Sequence, residues 1–184
     1  MIAWWLYVGV FVVLACITHQ PLRVSTGSTP GAGVVLSGGV AICLLQEAGG
    51  WRLFELFVLI WSADSISFFT GRRWGKNKLA PSLSPGKTVQ GAIGGAVSVL
   101  IAGMLIYYIH ESLTESRVLW KWLLLLLVVW LVSVIGDLYE SALKRGAGVK
   151  DSGSILPGHG GVLDRIDSTL AAGPFFYLGL AWLN

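Results

Sequence analysis

Between Ser141 and Asp167, the bases Lys144, Arg145, Lys150 and Arg165 alternate with Asp151, Asp164 and Asp167, and His159 lies among glycines. Acids and bases at this density suit a metal ion held by carboxylates beside a phosphate held by cations. Just upstream, Asp137, Glu140, Ser141 and Lys144 fall at i, i+3, i+4 and i+7, one face of a helix. Helix-end ion pairing is the plainer account, but at ~0.2–0.5 kcal/mol per pair it gives little reason to gather four polar groups there. Asp164 and Asp167 open a later helix, where negative charge is favoured and capping accounts for one of them. Two acids flanking Arg165, after glycines that let a backbone approach a ligand, fit a Mg²⁺ site better. A lone histidine such as His159 more often satisfies a local hydrogen bond.

Two further groups lie earlier in the chain. Trp61-Ser-Ala-Asp64-Ser65 puts a carboxylate inside an apolar run, as a functional group or as the partner of an arginine in the following loop. Gly71–Thr88 sets Lys76, Lys78 and Lys87 among Ser84, Thr88, glycines and prolines, a shaped loop able to cradle a polyphosphate. Gly86-Lys87-Thr88 imitates the end of a Walker A loop, but Pro81 stands where its earlier glycine is needed. The other account of this loop is topological: a basic segment kept on the cytoplasmic side.

These groups must be carried by membrane spans. The 184 residues are 54% hydrophobic and 12% charged, where a soluble domain has about 25% charged residues. The expectation is an all-α, polytopic integral membrane protein. Spans need roughly 17–25 apolar residues, which points to six: Ile2–Ile17, Gly33–Gln46, Leu53–Phe69, Thr88–Ile109, Leu119–Gly136 and Ser168–Leu183. The second is short and glycine-rich. Residues 1–184 read as one domain, with spans lacking motifs over 1–60 and a motif region over 61–184. Residues 19–32 form a loop, and Met1–Trp5 opens a span without the basic start of a signal peptide. Two spans separate the loops rich in Lys and Arg, so both lie on one side, and the positive bias makes that side cytoplasmic, with both termini opposite. Gly91 and Gly95 allow close helix packing. Cys16 and Cys43 sit in apolar runs without disulfide or zinc spacing. A basic face on a water-soluble body is missing, which excludes nucleic acid as a partner.

From Ser141 to Asp167, the order Ser-x2-Lys-Arg-x4-Lys-Asp-x-Gly-x3-Pro-Gly-His-Gly-Gly-x2-Asp-Arg-x-Asp closely resembles the signature of phosphatidate cytidylyltransferases (CDP-diacylglycerol synthases). Trp61-Ser-Ala-Asp64-Ser65 and Gly75-Lys-x-Lys-Leu-x-Pro-x2-Ser-Pro-x-Lys87 are similar to that family's second block, and Gly136-Asp137 to its Gly-Asp. The resemblance runs from Trp61 to the C-terminus; before that it is one of hydropathy only. Family members usually carry further N-terminal spans, so this chain reads as a short or N-terminally truncated member.

The resemblance implies CMP transfer from CTP to phosphatidate, giving CDP-diacylglycerol and pyrophosphate at the cytoplasmic face of a bacterial inner membrane. It implies Mg²⁺ on Asp137 and Asp164, with Asp167 next, and a second monovalent or divalent cation as an option. Lys144, Arg145, Lys150, Asp151 and Arg165 are implied at the reacting phosphates. Asp64, Lys76, Lys78, Ser84, Lys87, Ser141 and His159 are implied in substrate binding, and a homodimer as an assembly. Two alternatives stay open: an inactive membrane partner of a full-length synthase, and a CTP-dependent transferase or kinase acting on another lipid such as a polyprenol.

Overall fold

In the computed structural model, described over residues 29–111, 118–149, 151–153 and 161–183, helices dominate. The described elements are α1 (Thr29–Glu47), α2 (Gly50–Trp74), β1 (Lys78–Ala80), β2 (Ser84–Thr88), α3 (Val89–Glu111), α4 (Leu119–Gly146) and α5 (Leu163–Leu183). Inside a bilayer a helix satisfies its own backbone, which is why the apolar runs take this form. Among the described residues, α2, α3 and α4 are long and apolar enough to cross a membrane, and α1 contains a shorter apolar helix. The expected sixth span falls within α5. The expected first span, Ile2–Ile17, lies outside the described residues, as do much of the 19–32 loop and residues 112–117.

Lipid tails are as apolar as leucine, so helices in a membrane associate through close packing and interhelical hydrogen bonds. Small residues make the tightest seam, between α2 and α3. A Cβ on Gly91 would stand 2.8 Å from the Ser67 carbonyl oxygen, and one on Gly94 or Gly95 would strike Thr70 or Ser67. The Gly91/Gly95 pair is thus a packing device. Trp122 in α4 donates its Nε1–H to the Gly103 carbonyl of α3 at 2.8 Å, a bond worth about 0.5–2 kcal/mol in such a setting. Leu56, Leu59, Ile60, Val99, Leu126 and Phe176 fill the centre. On the opposite face of α3, Ile93, Val97, Ile101 and Leu105 form an exposed apolar stripe.

The loop after α2 departs from a purely helical plan. Its strands pair antiparallel, Lys78 with Thr88 and Ala80 with Ser84, around Pro81–Leu83. The root of this hairpin is fixed. The Gln90 side-chain oxygen accepts the backbone N–H groups of Lys76 and Asn77 at 3.1 and 3.2 Å. Buried Thr88 caps α3 by accepting the Gly91 N–H at 3.1 Å.

Candidate active site

Three elements converge at one end of the helices. On α4, Asp137, Glu140 and Lys144 share a face, as their spacing predicts. On α5, Asp167 lies one turn before Ala171. Gly136 lets the two helices meet: a Cβ there would collide with the Ala171 methyl. Because α4 and α5 touch at this level, single carboxylate oxygens of Asp137, Glu140 and Asp167 all lie within 4.8 Å of one another. Glu140 is buried and Asp137 and Asp167 are half-buried. Asp167 also accepts the Ser168 N–H at 2.7 Å.

Two lysines reach this acidic group from different directions. Lys144 donates to Glu140 at 3.0 Å and to Asp164 at 2.7 Å. Lys87, at the end of β2, forms an ion pair with Asp137. The hairpin and the α4–α5 end therefore meet on one side of the spans. Asp64, exposed in the second half of α2, interacts electrostatically with Asp137, Asp167 and Lys87, so it belongs to the same cluster.

Asp164, expected as a principal metal ligand, sits beside the acid group, against Lys144. Its carboxylate faces Lys144 and accepts the N–H groups of Ser152, at 2.9 Å, and Gly161, at 2.8 Å. Burial works to raise this carboxyl, but Lys144 and those amides outweigh it and hold Asp164 below the ordinary carboxylate value. Asp164 thus fastens the α4–α5 connection and joins the acids through Lys144. Gly161 permits the fastening, since a Cβ there would come within 2.8 Å of the Gly153 nitrogen.

The other expected residues divide. Ser141 is half-buried one position beyond Glu140 on α4, and Ser84 begins β2. Lys76 and Lys78 are exposed on the hairpin side. Arg145 is exposed and closes the end of α4 on the Val149 carbonyl at 3.4 Å. Asp151 is exposed after α4, and Arg165 is exposed in the first turn of α5. Lys150 and His159 lie outside the described residues. Glu140 was on the expected helix face without a ligand role, and its spacing of three from Asp137 is the signal that marks it. Gln90, which anchors the hairpin root, carries no such signal.

An all-oxygen group of three carboxylates suits a hard dication of the Mg²⁺ kind, and its oxygen spacing fits one ion. With lysines on two sides, the arrangement can hold a divalent cation next to anionic phosphates.

A family model described as the cytidylyltransferase family matches residues 1–183. The chain is 48% identical over 129 residues to a phosphatidate cytidylyltransferase of Haemophilus influenzae, covering 70% of this chain and 45% of that protein. It is 44% identical over 154 residues to one of Brucella abortus, covering 81% and 56%. It is 38% identical over 187 residues to one of Bacillus subtilis, covering 95% and 67%. The chain spans about half the length of the first two relatives.

Proposed function

This chain belongs to the cytidylyltransferase family, and on that premise we propose that it transfers CMP from CTP to phosphatidate, releasing pyrophosphate. The observation that carries the reading is the meeting of the Lys87 hairpin with the Asp137–Glu140–Asp167 group. An oxygen of the lipid phosphate attacks the α-phosphorus of CTP. A new P–O bond forms as the bond from the α-phosphorus to the bridging oxygen breaks, and pyrophosphate carries away the electron pair. No proton needs removing, because a phosphate monoester with a second pKa of about 6 is already largely ionised. The barrier is mainly mutual repulsion and alignment of polyanions.

Asp137, Glu140 and Asp167 would hold Mg²⁺, with Asp64 at the edge for a second cation. When bound, the ion supplies charge neutralisation and a fixed point for phosphate oxygens. The protein's own cations do the rest. Lys76, Lys78, Ser84 and Lys87 steady the β- and γ-phosphates and the departing pyrophosphate. Lys144, Arg145, Lys150 and Arg165 receive the lipid phosphate and the α-phosphate, with Ser141, Asp151 and His159 around them. Asp164 orients Lys144. The polar end faces the cytoplasm, where CTP is available, and the lipid tails stay in the bilayer. A homodimer is the proposed assembly.

The test is purified protein with labelled CTP and Mg²⁺, offered phosphatidate or polyprenyl phosphate. Labelled CDP-diacylglycerol with pyrophosphate supports the reading; CDP release, or product only from the polyprenyl lipid, overturns it.

A further inference from the structure

Lys87 and Lys144 both bind acids of the cluster, yet they are held in unlike ways. Lys144 rises from the same helix as Glu140 and is gripped by a second carboxylate, Asp164. Lys87 pairs with Asp137, and both side chains of that pair remain more than a quarter exposed. Its backbone is secured by the neighbouring Thr88 cap, so a change of partner needs only rotation about side-chain torsions. Beyond Lys87 the hairpin is open: Pro85 and Gly86 are exposed, and a Cβ on Gly86 would touch nothing.

Asp137 therefore serves two masters. It belongs to the only three-acid group among the described residues whose spacing fits a cation, and it is also the counter-ion of Lys87. A carboxylate accepts several hydrogen bonds, but an ammonium and a divalent ion brought to the same few oxygens repel each other strongly.

We infer that Lys87 is an exchangeable counter-ion, competing with the divalent cation for Asp137 and released to the nucleotide phosphates when the cation arrives. This rests on the reading that the acid cluster binds such a cation, and it adds an order of events. The five carboxylates Asp64, Asp137, Glu140, Asp164 and Asp167 face Lys87 and Lys144, an environment that repels a triphosphate. Cation binding lowers that repulsion and at the same time frees a positive charge on the strand that also carries Ser84. Cation and nucleotide then load cooperatively through one side chain, which makes Lys87 a positioning residue for both.

The experiment uses the purified full chain and Mn²⁺ alone, with free Mn²⁺ read by electron paramagnetic resonance. Lys87→Gln should bind Mn²⁺ at least about fivefold more tightly than the wild type, because a unit charge beside the ion is gone. Lys87→Arg, which keeps the charge, should stay within about twofold of it. Equal or weaker binding in a folded Lys87→Gln protein overturns the inference. A second readout needs no variant. Acylation of Lys87 by an activated ester, followed by peptide mass spectrometry, should rise at least about threefold on adding Mn²⁺ as the ion pair opens, while exposed Lys76 and Lys78 serve as internal controls. An unchanged Lys87 rate overturns it as well. Neither readout involves CTP or lipid, so failure of cytidylyl transfer leaves both standing. Absence of Mn²⁺ binding in every protein removes the cation site itself, and the inference with it.

Discussion

The two ends of the helices handle charge in opposite ways. At the start of α2, fully buried Glu55 lies 3.8 Å from Arg52 one turn earlier, and Trp51 adds a side-chain hydrogen bond. Nearby, Lys121 donates to the Trp182 carbonyl at 3.1 Å and lies over its ring. There the one acid meets a base a turn away, and the lysine rests on a carbonyl and a single aromatic. At the other end, ion pairs cross between elements, Lys87 to Asp137 and Lys144 to Asp164, and within that cluster five carboxylates face two lysines. A matched pair beside the membrane reads as architecture. Unmatched acids shared among three elements read as a place for a ligand's charge.

Substitutions can break this contrast. Asp167→Asn should cut kcat/KM by about a thousandfold, the upper range for removing one preorganised electrostatic group, while membrane insertion and thermal midpoint hold. A radiolabelled CTP assay beside a detergent melting curve reads both, and an unfolded variant would move Asp167 to the architectural side. Glu55→Ala should do the reverse. Leaving half-buried Arg52 without its carboxylate should cost about 1–3 kcal/mol of stability, seen as a lower melting midpoint, with turnover per folded molecule kept.

Gly136→Ala probes the joint on which the acid cluster depends. The added methyl should drive α4 from α5 and cost about 1–3 kcal/mol, with activity falling further than stability explains. Adding Ala171→Gly should restore both measurements; a failed rescue would show that the α4–α5 approach does not set the carboxylate spacing. The smallest effect is expected on the hairpin. Lys78→Ala should raise KM for CTP by about tenfold, as for one lost charge-assisted contact, and leave KM for phosphatidate nearly unchanged. Equal changes in both would separate the hairpin from nucleotide binding.

Much of this was legible in the chain because helical periodicity is a local property. The apolar runs marked α2, α3 and α4, and the spacing from Asp137 to Lys144 placed their side chains on one face before any packing was known. Counting spans brought the two basic loops to one side, and Lys87 against Asp137 is the contact that follows. The strands were not legible: Lys78–Ala80 and Ser84–Thr88 are short, and Pro85 and Gly86 disfavour a strand. Their pairing is decided by Gln90 and Thr88 at the root, which are tertiary facts. The choice between Glu140 and Asp164 was hidden for a related reason. Both are acids near a helix end that Lys144 binds, and only the rotation of α5 against α4 sets Glu140 beside Asp137 and Asp167 and turns Asp164 to the amides of Ser152 and Gly161.

The seam between α2 and α3 carries a further consequence. Where Gly91 meets the Ser67 carbonyl there is no width for a fatty acid, so these two helices form a wall without a doorway. Any path from the bilayer to the acids therefore runs around that wall and not through it.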